Sequence, residues 1–396
     1  MNTLARMALA LVAVTALVAP AVGQPAERGV TATEITVGTS MPLSGGAAFW
    51  GVPISAAIDA WFKKINDEGG IHGRKLRLVV KDDGYLPPRA VANTRELVER
   101  DAVFALASSL GTANVFAVRD YVVETQTIWI TPLAGVDIWA GFRNKKYIFA
   151  TYPSYIEEGI YLTTYAAQNL KTKSVAVFYQ NDLYGQLGLL GVKRGVAQLK
   201  NVKLVGQASY EVTDAEVTAQ AQKLKETGAD TLILYATPRH GALIVREMAK
   251  LSFRPTLVSS FTLTDPAMFA LAGEAWNNVY LTAYFPPPGT GDAKVDAALA
   301  TLSRINPALA RSPFNAVGGV AFVEAFLEGL RRTGPNLTKD RLVAAMETLK
   351  NWDGEVIRGV TFSPDRHQGT NRMLMLKAEN GQYKKLTNWY SYPTKF

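Results

Sequence analysis

Apolar runs and amphipathic stretches alternate along the chain from residue 34 onward. Residues 34–39 form an apolar run typical of a buried strand, and the glycine-rich loop 41–51 follows it. Four apolar residues then recur at spacings of four, three and four, on one face of a predicted helix: Ile54, Ile58, Trp61 and Ile65. Gly69 and Gly70 end this helix, because glycine readily adopts the positive φ of a helix terminus. The resulting unit is strand, loop, helix.

The same unit recurs further along, with predicted strands at 75–81, 103–107, 174–179 and 231–235. Such alternation predicts an α/β protein whose parallel sheets are covered by helices on both faces. Residues 145–154 and 282–289 interrupt it, because each is a strand that leads directly into proline-containing sequence with no room for a helix. We interpret both segments as crossings between two α/β lobes, and we predict a third crossing near residues 360–364.

The first 23 residues have the pattern of a cleavable signal peptide. Arg6 precedes an uncharged apolar run of 13 residues, 7–19, and small residues occupy 21–23. A membrane-spanning helix needs about 20 apolar residues, so a retained anchor is the weaker alternative. We therefore expect a mature protein that starts near Gln24 and resides in the periplasm.

The amino-acid composition excludes several classes of functional site and partner. The 396 residues include no cysteine, which excludes disulfides, thiolate metal sites, cysteine nucleophiles and a lipoprotein anchor. The formal net charge is +8, but lysine and arginine are scattered in clusters no longer than pairs such as Lys63-Lys64. A nucleic-acid footprint needs a concentrated basic patch, so we expect no nucleic-acid partner.

Catalytic signatures are also missing from the sequence. It contains no P-loop, no G-x-G-x-x-G, no G-x-S-x-G and no H-E-x-x-H. The adjacent acids Asp82 and Asp83 point to opposite faces of a strand, which favours a role in the loop over paired catalysis. We expect a binding protein that is not an enzyme and needs neither cofactor nor metal.

Hydroxyl and small residues follow two neighbouring strands. In open α/β sheets, ligands bind beyond the carboxyl ends of the strands, where helix N-termini present free N–H groups. Ser108, Ser109 and Thr112 follow one strand, and the loop 131–135 follows the next with Leu133, Ala134 and Gly135. These residues are candidates to hold a carboxylate without a formal positive charge. The alternative is that Ser109 only caps the helix that starts near Ala113.

Aromatic residues gather in the same loops and crossings. The candidates for a ring-lined ligand site are Phe49, Trp50, Tyr152, Tyr155, Tyr184, Phe261 and Tyr284. Core packing is the usual role of such residues, yet aromatic residues in glycine- and proline-rich loops are less often part of the core. Together they favour a stacking platform for a flat or apolar ligand.

Several blocks together resemble a known family. Residues 35–51, 65–76 and 81–83 are similar to the N-terminal signature of the periplasmic branched-chain amino acid (Leu/Ile/Val) binding proteins, the type I solute-binding subunits of ABC importers. Weaker similarity continues, in the family's order, at residues 130–132, 184–185 and 361–365.

The resemblance implies two Rossmann-like lobes with parallel sheets, joined by a hinge of three strands. The N-terminal lobe would comprise residues 24–151 and 283–361, and the C-terminal lobe 152–282 and 362–396. The ligand is a small molecule that a monomeric protein delivers to an ABC permease in the inner membrane.

Individual site residues follow from the same resemblance. Ser109 is expected to hold the ligand carboxylate, with the backbone amides of Leu133 and Gly135 beside it. Tyr184 matches a tyrosine of the second lobe, and Trp50 lies at or beside the aromatic residue of the first loop.

One departure from the family changes the expected ligand. Phe261 stands where amino acid binders place an acid to pair the ligand's ammonium group, and Asp265 replaces that acid only if its loop folds back instead of capping the next helix. An unpaired buried ammonium costs several kcal/mol. We therefore expect an aromatic or apolar monocarboxylate, such as a benzoate, phenylpropenoate or aryl oxo-acid. The alternatives are a branched-chain or other hydrophobic amino acid, and a sensory module of the same fold.

Overall fold

The computed structural model describes residues 27–136 and 145–393. The signal peptide predicted for residues 1–23 lies outside these described residues. Within them, no helix combines the length and apolar character needed to cross a membrane.

The first sheet is formed by the N-terminal part of the chain. Its parallel strands are β1 (Glu34–Met41), β2 (Lys75–Asp82), β3 (Ala105–Ala107), β4 (Ile128–Ile130) and β5 (Ile148–Phe149). Their order across the sheet is β2-β1-β3-β4-β5. The residues of β3 and β4 are all buried, as expected for strands covered on both faces.

Helices from two distant parts of the sequence cover this sheet. The N-terminal part supplies α1 (Ala48–Asp67), α2 (Pro87–Glu99) and α3 (Thr112–Glu124). A later part supplies helices that we number after those of the second lobe: α9 (Ala293–Ile305), α10 (Pro313–Thr333) and α11 (Lys339–Met346). The predicted stripe on α1 is buried, and this helix packs against α10. The pairing is close, because a Cβ atom at Gly319 of α10 would lie 2.7 Å from the Ile54 carbonyl oxygen of α1.

The second sheet mixes parallel and antiparallel strands. It contains β6 (Ser174–Gln180), β7 (Lys203–Tyr210), β8 (Thr231–Tyr235), β9 (Thr256–Ser259), β10 (Tyr280–Ala283), β11 (Arg372–Glu379), β12 (Gln382–Lys385) and β13 (Tyr390–Ser391). Strands β6 to β10 are parallel, whereas β11 runs antiparallel to β10. The predicted parallel sheets are confirmed, and the antiparallel strands β11 to β13 extend one edge of the second sheet. After the final crossing, the chain enters the second lobe at β11 and runs in the opposite direction. Strands β12 and β13 each pair antiparallel with β11.

The described residues of the second lobe form five α-helices, three of which begin at a side-chain cap. They are α4 (Tyr155–Asn169), α5 (Leu183–Ala197), α6 (Thr218–Glu226), α7 (Pro238–Lys250) and α8 (Ala267–Ala272). The side chains of Ser154, Asp182 and Thr237 accept hydrogen bonds from the first turns of α4, α5 and α7. These caps fix where each helix starts, and hence which of its residues reach the end of the preceding strand.

The chain passes between the two sheets in three places. It leaves the first sheet after β5, returns from β10 towards α9, and crosses again between α11 and β11. An isolated parallel bridge between Ala150 and Gln368 ties the first and third crossings together. This is the type I periplasmic binding protein fold that the sequence predicted: two α/β lobes with parallel-strand sheets.

Helices α4 and α5 approach closely enough to exclude any side chain at Gly159. A Cβ atom there would lie 2.7 Å from the Gly188 carbonyl oxygen and 2.8 Å from the Val192 nitrogen. We expect Gly159→Ala to lower the free energy of unfolding by about 1–2 kcal/mol, because backbone atoms cannot move aside and overpacking outweighs the helix propensity of alanine. Chemical denaturation measures this change. The matched control is Gly46→Ala, where no atom lies closer than 4.0 Å; equal losses in the two variants would contradict the packing argument.

Candidate functional site

A narrow cavity lies between the two lobes, at the carboxyl ends of the parallel strands. The first lobe contributes residues from α1, from the loops after β2, β3 and β4, and from the first turns of α10. The second lobe contributes residues that follow β6 and β9, and two crossings supply the remainder. Open α/β sheets bind ligands at this edge, so the topology alone brings these loops together.

The walls of the cavity are mostly aromatic. Ten of the eighteen lining residues carry rings: Trp50, Tyr85, Tyr152, Tyr155, Tyr184, Phe261, Tyr284, Phe285, Phe314 and Phe322. Several of the rings contact one another edge to face, with centroids 4.7 Å apart for Phe261 and Tyr284 and 4.8 Å apart for Tyr155 and Tyr184. The space left between them is about 50 Å³. A ligand larger than a few water molecules therefore needs the rings or the lobes to move apart.

No charged side chain lines the cavity among the described residues. Its polar groups are phenols, the hydroxyls of Thr112 and Thr262, and the amide of Asn315. Burial raises the pKa of Tyr152 and Tyr184 well above the ordinary value, so both are neutral phenols at physiological pH. The cavity thus offers hydrogen bonds and ring faces but no counter-ion.

The N-terminus of α3 reaches the cavity. Leu110, Gly111 and Thr112 line it, and no side chain caps the helix. Gly111 stands at the N-cap position with φ of 106°, and a Cβ atom there would lie 2.8 Å from the Tyr85 ring, so only glycine fits. Thr112 and Tyr155 both line the cavity at this end of α3. This end of α3 presents N–H groups and the positive end of the helix dipole to an anion.

The structure places eight of the sequence-predicted site residues in the cavity wall: Trp50, Thr112, Leu133, Tyr152, Tyr155, Tyr184, Phe261 and Tyr284. The two lobes meet here directly, because the Trp50 Nε1 of α1 donates a 2.8 Å hydrogen bond to the Thr262 carbonyl oxygen of the second lobe. Tyr184 also bonds to Thr262, with its phenol oxygen 2.7 Å from the Thr262 Oγ1.

The two serines lie behind the wall. Ser109 accepts a hydrogen bond from the Trp129 indole at 3.2 Å, and its carbonyl oxygen accepts the Leu133 N–H at 2.8 Å. The Leu133 amide that the family resemblance assigned to the ligand is therefore engaged within the protein. Ser108 is fully buried, and its N–H donates to the Ile130 carbonyl oxygen.

The remaining predicted residues also lie outside the wall. Ala134 is fully buried. The Gly135 carbonyl oxygen accepts the Tyr155 N–H at 2.9 Å, and a Cβ atom at Gly135 would lie 2.5 Å from the Pro153 carbonyl oxygen. Phe49 lines a separate groove beside Pro238 and Arg239 at the rim between the lobes.

Sequence reasoning missed a buried acid directly behind Phe261. The Glu158 carboxyl, on α4, accepts hydrogen bonds from the Phe261 N–H at 2.7 Å and from the Ser260 hydroxyl at 2.8 Å. The hydroxyl of Thr282 donates to the same group. Burial raises the pKa of Glu158 to about 7. Its position in the sequence was a usable signal, since Glu158 falls three residues after Tyr155 and four before Leu162 on the apolar face of α4.

The Asp265 carboxylate is also hydrogen-bonded within the protein. Its carboxylate accepts hydrogen bonds from the Ala267 N–H at 2.9 Å, as the sequence predicted for a cap of the next helix, and from Ser312 and Asn315 of the first lobe. Neither Asp265 nor Glu158 lines the cavity.

Two closed α/β lobes around one ring-lined cavity define a solute-binding protein. The family model described as periplasmic binding protein matches residues 34–382, and this chain belongs to that family. It is a binding protein and not an enzyme, and the predicted family is confirmed.

The names of known proteins similar to this chain refer to different ligands. The Leu/Ile/Val-binding protein homolog 3 of Brucella melitensis is 26% identical over 76% of this chain and 80% of its own length. A fatty acid ABC transporter substrate-binding protein from Thermomonospora curvata superimposes with a TM-score of 0.82 at 21% identity, covering 93% of this chain and 95% of that one. A branched-chain amino acid ABC transporter structure from Thermus thermophilus with bound valine superimposes with a TM-score of 0.82 at 18% identity, covering 91% of this chain and 97% of that one. The shared fold therefore does not select the ligand.

Glu158 makes the stability of the protein depend on pH. Its pKa is about 7 in the folded chain and near 4.5 when exposed, so between these values the folded state holds a proton that the unfolded state has lost. The stabilisation is complete below about pH 4.5 and is lost as pH rises through 7. We expect the free energy of unfolding of the wild type, relative to Glu158→Gln, to fall by roughly 3 kcal/mol between pH 4.5 and 7.5. Urea denaturation at several pH values measures this difference, and a difference that stays constant with pH would contradict the assignment.

Proposed function

We propose that this chain is the substrate-binding subunit of an ABC importer, that it works in the periplasm as a monomer, and that its ligand is a small aromatic or apolar monocarboxylate. One observation carries the choice of ligand: ten ring-bearing residues and no charged residue line the cavity. The family supports the role in transport, and the site residues support the class of ligand.

An amino acid ligand brings an ammonium group that this cavity does not neutralise. The buried acid Glu158 already accepts bonds from Ser260, Phe261 and Thr282. Leaving a buried ammonium without a counter-ion costs several kcal/mol, which corresponds to more than a hundredfold in affinity. A ligand without an amine avoids this cost.

A carboxylate, in contrast, finds donors at the N-terminus of α3. The first N–H groups of this helix and the Thr112 hydroxyl lie at one end of the cavity, and the rings form the rest of the wall. An anion held in this way needs no lysine or arginine, because the helix end supplies a partial positive charge of about half a unit. We therefore propose that these groups, and not Ser109, contact the ligand carboxylate.

The small volume also bears on the shape of the ligand. Ligand pockets commonly measure about 300–1,000 Å³, whereas the space here is about 50 Å³. Separating the lobes enlarges it by moving Phe261 and Tyr184 away from Trp50. A flat ring that slides between the existing rings requires less separation than a long acyl chain does.

The alternative ligand is a branched-chain or other hydrophobic amino acid. It is favoured by the relatives whose names refer to leucine, isoleucine and valine, and by the valine bound to the Thermus thermophilus protein. In that case a polar group such as the Asn315 amide or a phenol would face the ammonium.

A ligand screen separates the two candidates. We expect benzoate, trans-cinnamate or phenylpyruvate to raise the midpoint of thermal unfolding, because ligand at 100 times its dissociation constant stabilises the folded state by about 2.7 kcal/mol. Isothermal titration then ranks the hits. Leucine or valine binding more tightly than every aromatic acid would overturn the proposed ligand class and leave the binding role intact.

The carboxylate contact is tested by two matched substitutions. Thr112→Val removes a hydroxyl from the cavity, and we expect it to weaken binding of an aromatic acid about tenfold while barely affecting the corresponding amide. Ser109→Ala is the control, because its hydroxyl contacts Trp129 behind the wall, and we expect unchanged affinity. Isothermal titration of the acid and the amide measures both. If Ser109→Ala weakens acid binding more than Thr112→Val does, the assignment to Thr112 is wrong.

A further inference from the structure

Helix α10 begins without a cap from its own sequence. Ser312 occupies the N-cap position, but its hydroxyl accepts no backbone N–H of the first turn and bonds there only to the Asn315 side-chain amide, whose Nδ2 donates at 3.0 Å. That hydroxyl instead donates to the Asp265 Oδ2 at 2.9 Å, and the Asn315 N–H donates to the same oxygen at 3.0 Å. An N-cap residue ordinarily accepts the N–H of the second or third helical residue, and Asn315 is the third. The Asp265 carboxylate therefore fills the place of the N-cap.

Asp265 reaches α10 from the other lobe. It lies between β9 and β10 of the second sheet, and its carbonyl oxygen accepts a 3.0 Å hydrogen bond from the Tyr383 phenol of β12. One carboxylate oxygen, Oδ1, bonds within the second lobe to the Ala267 N–H. The other oxygen, Oδ2, bonds only across the cleft, and the residue is 1% exposed.

Helix α10 is part of the first lobe and of the cavity wall. It packs along α1, and its early residues Phe314, Asn315, Gly318 and Phe322 line the cavity. The part of the first lobe that forms this wall is thus linked to the second lobe by the Asp265 carboxylate, in addition to the Trp50–Thr262 hydrogen bond. A carboxylate at a helix N-terminus makes charge-assisted hydrogen bonds and faces the positive end of the dipole.

We propose that Asp265 is a positioning residue that holds the two lobes closed by capping α10 across the cleft, and that it thereby sets how long a ligand stays bound. Opening of the cleft separates Oδ2 from Ser312 and Asn315 and leaves α10 uncapped, so the closed state gains a stabilisation that the open state lacks. The inference rests on the proposed function only in that the interlobe cleft is the binding site; it does not depend on which ligand binds.

Asparagine cannot replace this carboxylate. The amide oxygen of Asp265→Asn can keep the bond to Ala267, but the amide nitrogen then faces two donors, the Ser312 hydroxyl and the Asn315 N–H. If the amide is turned the other way, the bond to Ala267 is lost. The charge is removed in either orientation, so the variant keeps the shape of the side chain while weakening the link between the lobes.

Single-molecule energy transfer on the full mature chain tests the proposal without a ligand. The sequence has no cysteine, so Leu86→Cys on the first lobe and Val212→Cys on the second provide unique sites for dyes, and both residues are exposed. We expect the ligand-free wild type to visit a closed state, and Asp265→Asn to shorten its lifetime about tenfold. Ser312→Ala removes one of the two interlobe donors, and we expect it to shorten the lifetime about threefold. This milder variant carries the test if Asp265→Asn does not fold.

Thr338→Ala is the matched control. Thr338 caps α11 by accepting the Arg341 N–H at 3.2 Å, entirely within the first lobe, and we expect its removal to leave the closed lifetime unchanged. The proposal is wrong if the wild type shows no closed state, if Asp265→Asn and Ser312→Ala both match the wild type, or if Thr338→Ala shortens the lifetime equally.

Added trans-cinnamate and L-valine extend the test to bound states. Whichever of the two probes closes the wild type should dissociate about tenfold faster from Asp265→Asn, with little change in its association rate. If neither probe closes the wild type, the proposed ligand class fails, while the ligand-free comparison still decides the role of Asp265.

Discussion

The carboxyl ends of the parallel strands of both sheets converge on one cleft, and this constraint determines the rest of the site. Each segment that leaves β1, β2, β3, β4, β6 or β9 must start at that edge, so residues far apart in sequence, such as Trp50 and Thr262, come within hydrogen-bonding distance. The helices that follow these strands point their N-termini at the same edge. The fold therefore supplies anion-binding groups before any charged side chain is added.

The acidic residues around the cleft are used by the protein itself. Glu158 binds the segment that carries Phe261, Asp265 binds the start of α10, and Asp83 accepts the Ser40 hydroxyl at 2.8 Å behind the first lobe's loops. A buried carboxylate with its hydrogen bonds satisfied gains little by turning to a new partner, because it would leave donors unpaired. These acids position the walls of the cavity and are not available as counter-ions.

Sequence reasoning predicted the fold and the main elements of the wall more accurately than it predicted the orientation of individual residues. The strand-loop-helix pattern located the loop 108–112, but the direction of each side chain depends on the left-handed conformations of Ser108, φ 55°, and Gly111, φ 106°. These turns direct Thr112 into the cavity and leave Ser109 against Trp129. Similarly, the local sequence of Asp265 indicates a bond to Ala267, whereas its bonds to Ser312 and Asn315, about 50 residues later, arise only from the packing of one lobe on the other.

The selectivity of such a cavity depends as much on the ligand charges that the wall leaves without a counter-ion as on the ligand groups that the wall contacts. Each well-placed pair of aromatic rings stabilises a complex by about 0.5–1.5 kcal/mol in addition to the contribution of the buried area. This stabilisation is similar for many apolar ligands. An uncompensated ammonium costs several kcal/mol, which exceeds any one of these gains. In our proposal, the apolar Phe261 in the wall and the hydrogen-bonded Glu158 behind it therefore affect selectivity more than any single ring contact does. The neutral phenols of the wall and the N-terminus of α3 are therefore the basis of our proposal that the ligand's only charge is a carboxylate.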